Sequence, residues 1–340
     1  MRLQDFDYEL PERLIAQEPL ERRDASRLMV VHRRTGVIEH RLFPEIVAYL
    51  QAGDLMVVNE TKVLPVRLFG RKSKTAGRVE VLLLHPTGPD RWECLVRPGR
   101  RLQPGARVEF GPELLGEVVA RTPSGGREIV FMYEGSFESV LARVGHVPLP
   151  PYIRKPLGNA ERYQTVYARS PGSAAAPTAG MHFTPELLET LRTKGVQIAS
   201  VVLHIGLDTF RPVKVDDISK HEMHTEYYAV PEGTSLAVNA AKREGRRVVA
   251  IGTTSTRCLE SAAGEDGLVR AGTGWSNLFI YPGYRFKAVD ALVTNFHLPR
   301  STLLMMLSAF AGRELILQAY AEAVKREYRF FSFGDAMLVV

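Results

Sequence analysis

Residues 247–257, Arg-Val-Val-Ala-Ile-Gly-Thr-Thr-Ser-Thr-Arg, combine an apolar run with a glycine and a cluster of hydroxyl side chains. The apolar run at 247–251 is short and rich in β-branched residues, which is typical of a buried strand. We predict that the strand ends at Gly252, that a loop follows, and that a helix spans 256–263. A buried strand followed closely by a helix is the repeating unit of layered α/β folds.

The same alternation of strand and helix patterns continues on both sides of this segment. Thr184 followed by Pro185 and Glu186 marks a helix start, because a hydroxyl cap, a first-turn proline and an acidic residue all favour one. That helix is expected to stop at Gly195. Further strands are predicted at 55–58, 196–204 and 290–294, and further helices at 235–244, 301–310 and 314–326. The pattern predicts an α/β body, a mixed sheet with flanking helices.

Residues 63–147 have a different texture. Short alternating segments are separated by turn signals such as Pro98-Gly99 and Pro104-Gly105. Strands are predicted at 78–84, 91–96, 106–110 and 128–133. We therefore predict a small all-β barrel domain at 63–147, inserted into a discontinuous α/β catalytic domain formed by residues 1–62 and 148–340.

The positive charge of the chain is concentrated in the predicted barrel. The whole sequence has a formal net charge of +6. Residues 60–110 hold eleven basic and five acidic side chains, so this segment carries the entire excess. A polyanion such as RNA would be attracted to it. A solvated basic face with no partner explains the same composition equally well.

Composition places the protein among soluble globular proteins. The chain has 340 residues, of which 45% are hydrophobic, and this length suggests two domains. Its two cysteines, Cys94 and Cys258, exclude a disulfide framework and a cysteine-based zinc site. The N-terminus lacks the apolar segment of a signal peptide, and no run is long enough to span a bilayer. We expect a cytoplasmic monomer that does not associate with membranes.

Several polar loops are predicted to follow strands. Gly252 and the hydroxyls after it suit an anion or a carboxylate, although they lack the Walker lysine and could simply cap a helix. His182 precedes the helix that starts after Thr184, and His204 ends a strand. Asn295 and His297 lie between a strand and a helix. Functional residues concentrate at strand ends in open α/β sheets, whereas a single buried histidine is more often structural.

The segment His221-Glu222-Met223-His224-Thr225-Glu226 is the densest titratable cluster. On a helix the two histidines would share a face, which suggests a metal site. Their spacing is one residue short of the His-Glu-x-x-His zinc motif, so acid–base or hydrogen-bonding roles are favoured over metal. A plain surface cluster remains an alternative.

Long motifs spread over the chain resemble those of the S-adenosylmethionine:tRNA ribosyltransferase-isomerase family. They include 177–183 (Pro-Thr-Ala-Gly-Met-His-Phe), 204–212 (His-Ile-Gly-Leu-Asp-Thr-Phe-Arg-Pro), 221–224 (His-Glu-Met-His), 252–257 (Gly-Thr-Thr-Ser-Thr-Arg), 294–299 (Thr-Asn-Phe-His-Leu-Pro) and 328–337 (Tyr-Arg-Phe-Phe-Ser-Phe-Gly-Asp-Ala-Met). The N-terminal blocks at 5–11 and 59–65 match as well.

The resemblance implies a step of queuosine biosynthesis. The family moves the ribosyl part of S-adenosylmethionine onto a 7-aminomethyl-7-deazaguanine at the tRNA wobble position and isomerises it. Epoxyqueuosine-tRNA forms, and adenine and methionine leave. No cofactor and no metal are implied, because S-adenosylmethionine is consumed as the ribosyl donor. The partners are then tRNA and S-adenosylmethionine, and the family fold is an α/β body with an inserted β-barrel.

The resemblance and the loop positions together nominate the site residues. The candidates for proton transfer are His182, His204, His221, Glu222, His224 and His297. The candidates for binding S-adenosylmethionine and the modified base are Thr178, Gly180, Arg211, Gly252, Thr253, Thr254, Ser255, Arg257, Asn295 and Arg300. The candidates for tRNA contact, from the charge pattern, are Arg97, Arg100 and Arg101.

Two alternative functions stay open beside this prediction, and the chain differs from the family pattern at four positions. The rivals are a metal-dependent hydrolase built on the histidines and an RNA-binding module built on the basic region. The chain departs from the family pattern at Met181, Asp208, Arg300 and Phe333, where Leu, Gly, Lys and Tyr are usual. Asp208 is therefore not proposed as a catalytic residue.

Overall fold

The computed structural model describes residues 1–123, 125–155, 157–206 and 213–340. The chain divides into two compact units. The larger contains Met1–Lys62, Pro151–Pro171 and Ala176–Val340, and the smaller contains Val63–Pro150 and Gly172–Ala175. We refer to them as the α/β unit and the barrel unit.

The described residues form seventeen strands and six α-helices. The strands are β1 (Arg27–Val31), β2 (Ile38–Leu42), β3 (Leu55–Asn59), β4 (Thr61–Val63), β5 (Arg67–Lys72), β6 (Arg78–Gly88), β7 (Arg91–Arg97), β8 (Arg107–Glu109), β9 (Leu114–Arg121), β10 (Arg127–Tyr133), β11 (Ser170–Ser173), β12 (Gln197–Leu203), β13 (Glu226–Val230), β14 (Val248–Ile251), β15 (Gly272–Ser276), β16 (Ala291–Asn295) and β17 (Ala336–Val339). The helices are α1 (Phe137–Val144), α2 (Pro185–Thr193), α3 (Glu232–Arg243), α4 (Gly252–Ala262), α5 (Thr302–Ala311) and α6 (Arg313–Lys325).

One mixed sheet organises the α/β unit. In the described part of the chain it has nine strands in the order β15-β13-β12-β3-β14-β16-β17-β1-β2. The central strands β12, β3, β14 and β16 run parallel to one another. Strands β13 and β15 continue the sheet in antiparallel fashion on one side, and β17 is antiparallel to β16 on the other. The predicted mixed sheet with flanking helices is confirmed.

The central strands are apolar because the sheet is covered on both faces. Every residue of β3 and of β14 is buried. On one face Met56 and Val249 pack with Phe43, Ile46 and residues of α2. Strands covered on both sides read as continuous apolar runs rather than as alternating ones. This is why the sequence at 247–251 identified its strand.

The barrel unit is closed by antiparallel pairing. Its strands follow the order β10-β7-β6-β5-β8-β9, and β10 pairs with β9 as well as with β7 to complete the ring. Alternate side chains such as Leu68, Val81 and Phe131 fill the interior. The predicted small all-β barrel is confirmed. Closure leaves no free sheet edge.

The start of α4 differs from the prediction. The helix begins at Gly252, directly after β14, and not at Thr256. Gly252 has a φ of 89° and forms the junction between strand and helix. The hydroxyl groups of Ser255 and Thr256 donate to the carbonyls of Ile251 and Gly252 at 2.7 and 3.2 Å, so both residues belong to the first helical turns. The predicted loop is therefore part of the helix.

Among the described residues no single helix is long and apolar enough to cross a membrane. Helices α5 and α6 meet at a bend of 117°, and only the two together have the length and apolar composition of a membrane span.

We expect Gly252→Ala to destabilise the protein by about 1–3 kcal/mol, because an L side chain is strained at that positive φ. The matched control is Gly233→Ala near the start of α3, where nothing lies within 4 Å of the added Cβ. The control should be neutral or stabilising by up to about 1 kcal/mol. Urea unfolding of both variants measures the difference. Equal stability of the two would show that the junction is not strained.

Candidate active site

The polar segments predicted from the sequence lie along one edge of the nine-stranded sheet. Parallel pairing brings the carboxyl ends of β12, β3, β14 and β16 to that edge. Glu226 joins them, because it begins the antiparallel strand β13, where Tyr228 is opposite Leu203. Ligand sites of open α/β sheets form at such an edge. We call it the site edge.

Glu226 is the hub of a buried charge cluster. It is 2% exposed, and its Oε1 accepts a hydrogen bond from the backbone N–H of Gly206 at 2.8 Å. The Nε2 of His224 lies 3.1 Å from the same oxygen, and the Arg257 guanidinium forms an ion pair with Oε2. A buried carboxylate needs such partners, because removal from water penalises its charge.

Arg257 was predicted to bind a carboxylate, and it lies within α4. It is 5% exposed, and burial lowers its pKa to about 10. A guanidinium with that pKa stays charged at neutral pH, so Arg257 and Glu226 are held as an ion pair. Any substrate carboxylate would share this arginine with Glu226.

The first turn of α4 contains one polar atom without a partner. The hydroxyl of Thr254 is buried and has no hydrogen-bond partner among the described residues. Thr253 is partly exposed beside it, whereas Ser255 is fully buried and its hydroxyl bonds to the main chain. A buried polar group without a partner in a folded protein calls for an explanation such as a bound ligand.

His182 is held in a saturated hydrogen-bond chain. Thr178 Oγ1 donates to Asn295 Oδ1 at 2.9 Å, and Asn295 Nδ2 donates to the carbonyl of Phe331 and to His182 Nε2 at 3.2 and 3.1 Å. His182 Nε2 is therefore an acceptor, so Nδ1 carries the proton and donates to Ser26 Oγ at 2.8 Å.

Burial keeps His182 neutral. Desolvation lowers its pKa to about 3, with further contributions from the positive charges of Arg329 and Arg23. Its ring stacks on Phe43 with centroids 4.9 Å apart. An imidazole with both nitrogens bonded positions its neighbours more readily than it accepts a proton. The structure therefore favours a positioning role over the predicted catalytic one.

His297 is buried separately. Its Nε2 lies 2.7 Å from Thr294 Oγ1, and burial lowers its pKa to about 3. Its backbone N–H donates to the Tyr320 hydroxyl at 2.9 Å, and its carbonyl accepts from Tyr8. No hydrogen bond between described residues joins the rings of His297 and His182.

His204 keeps one ring nitrogen available. Its Nδ1 lies 2.8 Å from Thr61 Oγ1, and its ring stacks on Tyr227 with centroids 5.4 Å apart. Among the described residues, Nε2 has no hydrogen-bond partner. Burial lowers the pKa of this half-buried imidazole, which is therefore neutral at pH 7. A neutral, oriented ring with a free nitrogen can accept a proton.

The segment from His221 to His224 is not helical. It follows the 3-10 turn Ile218–Lys220 as irregular chain, so the shared helical face does not exist. Glu222 is exposed, whereas the ring of His221 packs against Phe279 with centroids 5.2 Å apart. Burial lowers the pKa of His221, and the nearby charge of His224 lowers it further. Within the described ranges, no group of three or more His, Cys, Asp or Glu residues could hold a metal ion.

The remaining candidates lie in different environments. Gly180 is buried with the Tyr167 hydroxyl directly against it, since a Cβ there would lie 1.9 Å from that oxygen. Arg300 is exposed and pairs with Asp7. Arg211 and Asp208 lie outside the described residues.

Arg97, Arg100 and Arg101 lie on the barrel unit. All three side chains are exposed, at the end of β7 and in the 3-10 turn Gly99–Arg101. In the described part of the chain none of them forms an ion pair. Unpaired surface cations are available to an anionic partner.

The sequence did not nominate four residues that the structure places in the site. They are Ser26, Thr61, Glu226 and Tyr227. Glu226 ends the titratable cluster that begins at His221, so its position was a usable signal. Ser26 and Thr61 act through partners more than 140 positions away, which no local pattern reveals.

Removing one member of the Arg257–Glu226 pair should be costly, because the other charge stays buried. We expect Arg257→Met and Glu226→Gln each to lower the free energy of unfolding by about 3 kcal/mol. The double variant should lose less than the sum, and urea unfolding of the four proteins measures the coupling. Strictly additive losses would mean that the two side chains are not energetically paired.

Comparisons with known proteins identify the family of the chain. The family model described as queuosine biosynthesis protein matches residues 3–339. The chain is 60% identical over 341 residues to the S-adenosylmethionine:tRNA ribosyltransferase-isomerase of Symbiobacterium thermophilum, and both chains are covered completely. The protein of the same name from Moorella thermoacetica is 59% identical over 342 residues, again with complete coverage of both.

A solved structure shares the fold. The crystal structure of S-adenosylmethionine tRNA ribosyltransferase from Thermotoga maritima is 43% identical, with a TM-score of 0.58, and the match covers 99% of this chain and 100% of that one. A family model spanning nearly the whole chain and full-length relatives at this identity leave one assignment. The chain belongs to the queuosine biosynthesis protein family, that of the S-adenosylmethionine:tRNA ribosyltransferase-isomerases, as its motifs predicted.

Proposed function

We propose that this protein transfers and isomerises the ribosyl moiety of S-adenosylmethionine onto 7-aminomethyl-7-deazaguanine at the tRNA wobble position. The products are epoxyqueuosine-tRNA, adenine and methionine. The observation that carries the proposal is that the motif residues lie together at the site edge. Full-length relatives of this chain are named S-adenosylmethionine:tRNA ribosyltransferase-isomerase. S-adenosylmethionine acts as a substrate, so no separate cofactor enters the proposal.

His204 is the base that the geometry favours. The sulfonium of S-adenosylmethionine acidifies the neighbouring C5′ protons, so a neutral base placed near them can generate an ylide. His204 is neutral, Thr61 fixes its ring, and its Nε2 is open. His182 and His297 have lower pKa values and both are fully enclosed, which makes them weaker bases.

The start of α4 is the proposed anion subsite. The backbone N–H groups at Gly252, Thr253 and Thr254 are at a helix N-terminus, where the helix dipole favours negative charge. The Thr254 hydroxyl can donate to the same ligand, and Arg257 lies further along the helix. Together they suit the methionine carboxylate.

Asn295 lies at the same site edge, where hydrogen bonds with Thr178 and His182 fix its side chain. His224, against Glu226, is a second candidate for proton transfer, either to the departing adenine or from the attacking amine. Transfer to adenine would lower the cost of expelling an anionic leaving group. The protein thus offers separate groups for the two ends of the reaction.

Adenine release tests the function directly. Protein incubated with S-adenosylmethionine and tRNA carrying the aminomethyl base should release adenine, with or without a chelator. Loss of activity in chelator would favour the metal-dependent hydrolase. Tight tRNA binding without adenine release would favour a plain RNA-binding module.

His204→Gln should lower kcat by about 10²–10⁴-fold, the usual contribution of a positioned general base. The base must be neutral, and burial holds its pKa below 6.5. The wild-type rate should therefore stay constant above pH 6.5 and fall as the pH drops through the lowered pKa. The control is His85→Gln, which changes an exposed histidine of the barrel unit. A His204 variant with wild-type kcat and pH profile would exclude His204 as the base.

Neutralising Arg97, Arg100 and Arg101 together should weaken tRNA binding and flatten its salt dependence. Each lost phosphate contact reduces the slope of log K against log salt by about 0.7–0.9. A matched control neutralises Arg22, Arg154 and Arg192, which are exposed in the α/β unit and already pair with acids. An unchanged slope in the barrel variant, with unaltered S-adenosylmethionine binding, would move the tRNA surface off these arginines.

A further inference from the structure

Three aromatic side chains form a ladder across the outer strands of the sheet. His204 directly follows β12, Tyr227 lies on β13 and Trp275 lies on the edge strand β15. His204 and Tyr227 are stacked at 5.4 Å with 22° between their planes, and Tyr227 meets Trp275 edge to face at 5.7 Å and 73°. Backbone pairing places Tyr227 opposite Trp275. The register of the β13–β15 pair therefore fixes the positions of Tyr227 and Trp275 relative to each other.

The ladder lies on the open face of these strands. Residues alternate between the faces of a sheet, so Glu226 and its partner Ser276 point the other way. Both are buried, and Arg257 of α4 contacts Glu226 there. Trp275 by contrast is 70% exposed, the highest value among the exposed large apolar side chains described.

Folding does not explain this tryptophan. Burial of an aromatic side chain stabilises a protein in proportion to the apolar area removed from water, and most of that area of Trp275 remains in water. An exposed apolar residue on an edge strand also invites unwanted strand pairing. A contact with another molecule would remove that area from water.

The ladder leads into the candidate active site. Its inner member, His204, is fixed by Thr61 at the site edge, and Trp275 lies two rings away from it. A molecule reaching from His204 to Trp275 must extend well beyond one base. A nucleotide next to the reactive one in a single strand has that reach.

We propose that Trp275, supported by Tyr227, is a stacking platform for an unpaired nucleotide of the RNA substrate adjacent to the base that reacts at the site edge. The inference rests on the proposed function and adds the position of a second RNA contact. Every base has a π-face, so an aromatic platform holds unpaired nucleotides without requiring a particular sequence.

An open, flat ring suits a polymer better than a small ligand. Small molecules bind in concave sites that bury most of their surface, whereas Trp275 is exposed at the edge of the sheet. The adenine of S-adenosylmethionine is therefore not the expected occupant. The experiment below distinguishes the two.

The chain has only two tryptophans, which gives the experiment a spectroscopic readout. In a Trp92→Phe protein, Trp275 is the sole tryptophan. An anticodon stem–loop RNA should quench its fluorescence on binding, whereas S-adenosylmethionine alone and a blunt RNA duplex of equal length should not. Unpaired bases are present only in the stem–loop.

Truncation of the ring provides the affinity measurement. Trp275→Ala should raise the Kd of the stem–loop by at least about tenfold, and Trp275→Phe should retain most of the affinity. The Kd of S-adenosylmethionine should not change in either variant. The matched control is Leu236→Ala on α3, which removes another exposed apolar side chain, 61% exposed, and should leave both constants unaltered.

Two results would overturn the platform. One is a folded Trp275→Ala protein that binds the stem–loop as the wild type does. The other is quenching by S-adenosylmethionine alone, with weakened binding of that substrate in the alanine variant, which would assign the ring to adenine. Failure of the wild-type protein to release adenine from S-adenosylmethionine and modified tRNA would instead overturn the proposed function itself.

Discussion

The parallel pairing of β3 with both β12 and β14 is the constraint on which the α/β unit depends. Parallel strands require crossover connections, and these carry helices to both faces of the sheet. The same pairing sends the carboxyl ends of the central strands to one edge. Residues distant in sequence, such as Asn59, Leu203 and Ile251, come to that edge because of this pairing.

Polar groups gathered at a buried edge fall into two classes. The first is saturated: His182 has a partner on each ring nitrogen, and Glu226 holds Arg257, His224 and a backbone amide. A change of partner at any of these groups costs free energy, because it leaves a buried polar atom without a hydrogen bond. They make the edge rigid.

The second class retains unused capacity. The Nε2 of His204 and the hydroxyl of Thr254 lack partners in the described chain, and Trp275 offers an uncovered ring. Rigid, saturated groups that support a few open ones are what positioning a reactive molecule requires. In the proposed function His204 and Thr254 are the open groups used for proton transfer and ligand contact, and His182 supports them. The barrel unit contributes exposed arginines that form no ion pair within the described chain, among them Arg97, Arg100 and Arg101.

The sequence by itself determined the fold class. The apolar run of β14, the Thr184 cap and the turn-rich stretch at 63–147 are local signals, because helix caps, turns and burial on two faces constrain neighbouring residues. Several elements were not predicted, among them the sheet strands β1, β13 and β17, the barrel strands β5 and β9, and the eight-residue helix α1, which is too short for a clear period. Motifs spanning the chain also identified the family.

Only the tertiary structure decided the surroundings of each candidate residue. The same residue type, histidine, is enclosed at 182 and open at 204. Ser26 and Asn295 bond both ring nitrogens of His182, whereas Thr61 bonds only one ring nitrogen of His204. Glu226 likewise accepts a hydrogen bond from Gly206 and pairs with Arg257 only because the fold brings these segments together. Burial and hydrogen bonding at such a site depend on contacts between distant segments, and a local sequence pattern does not contain them.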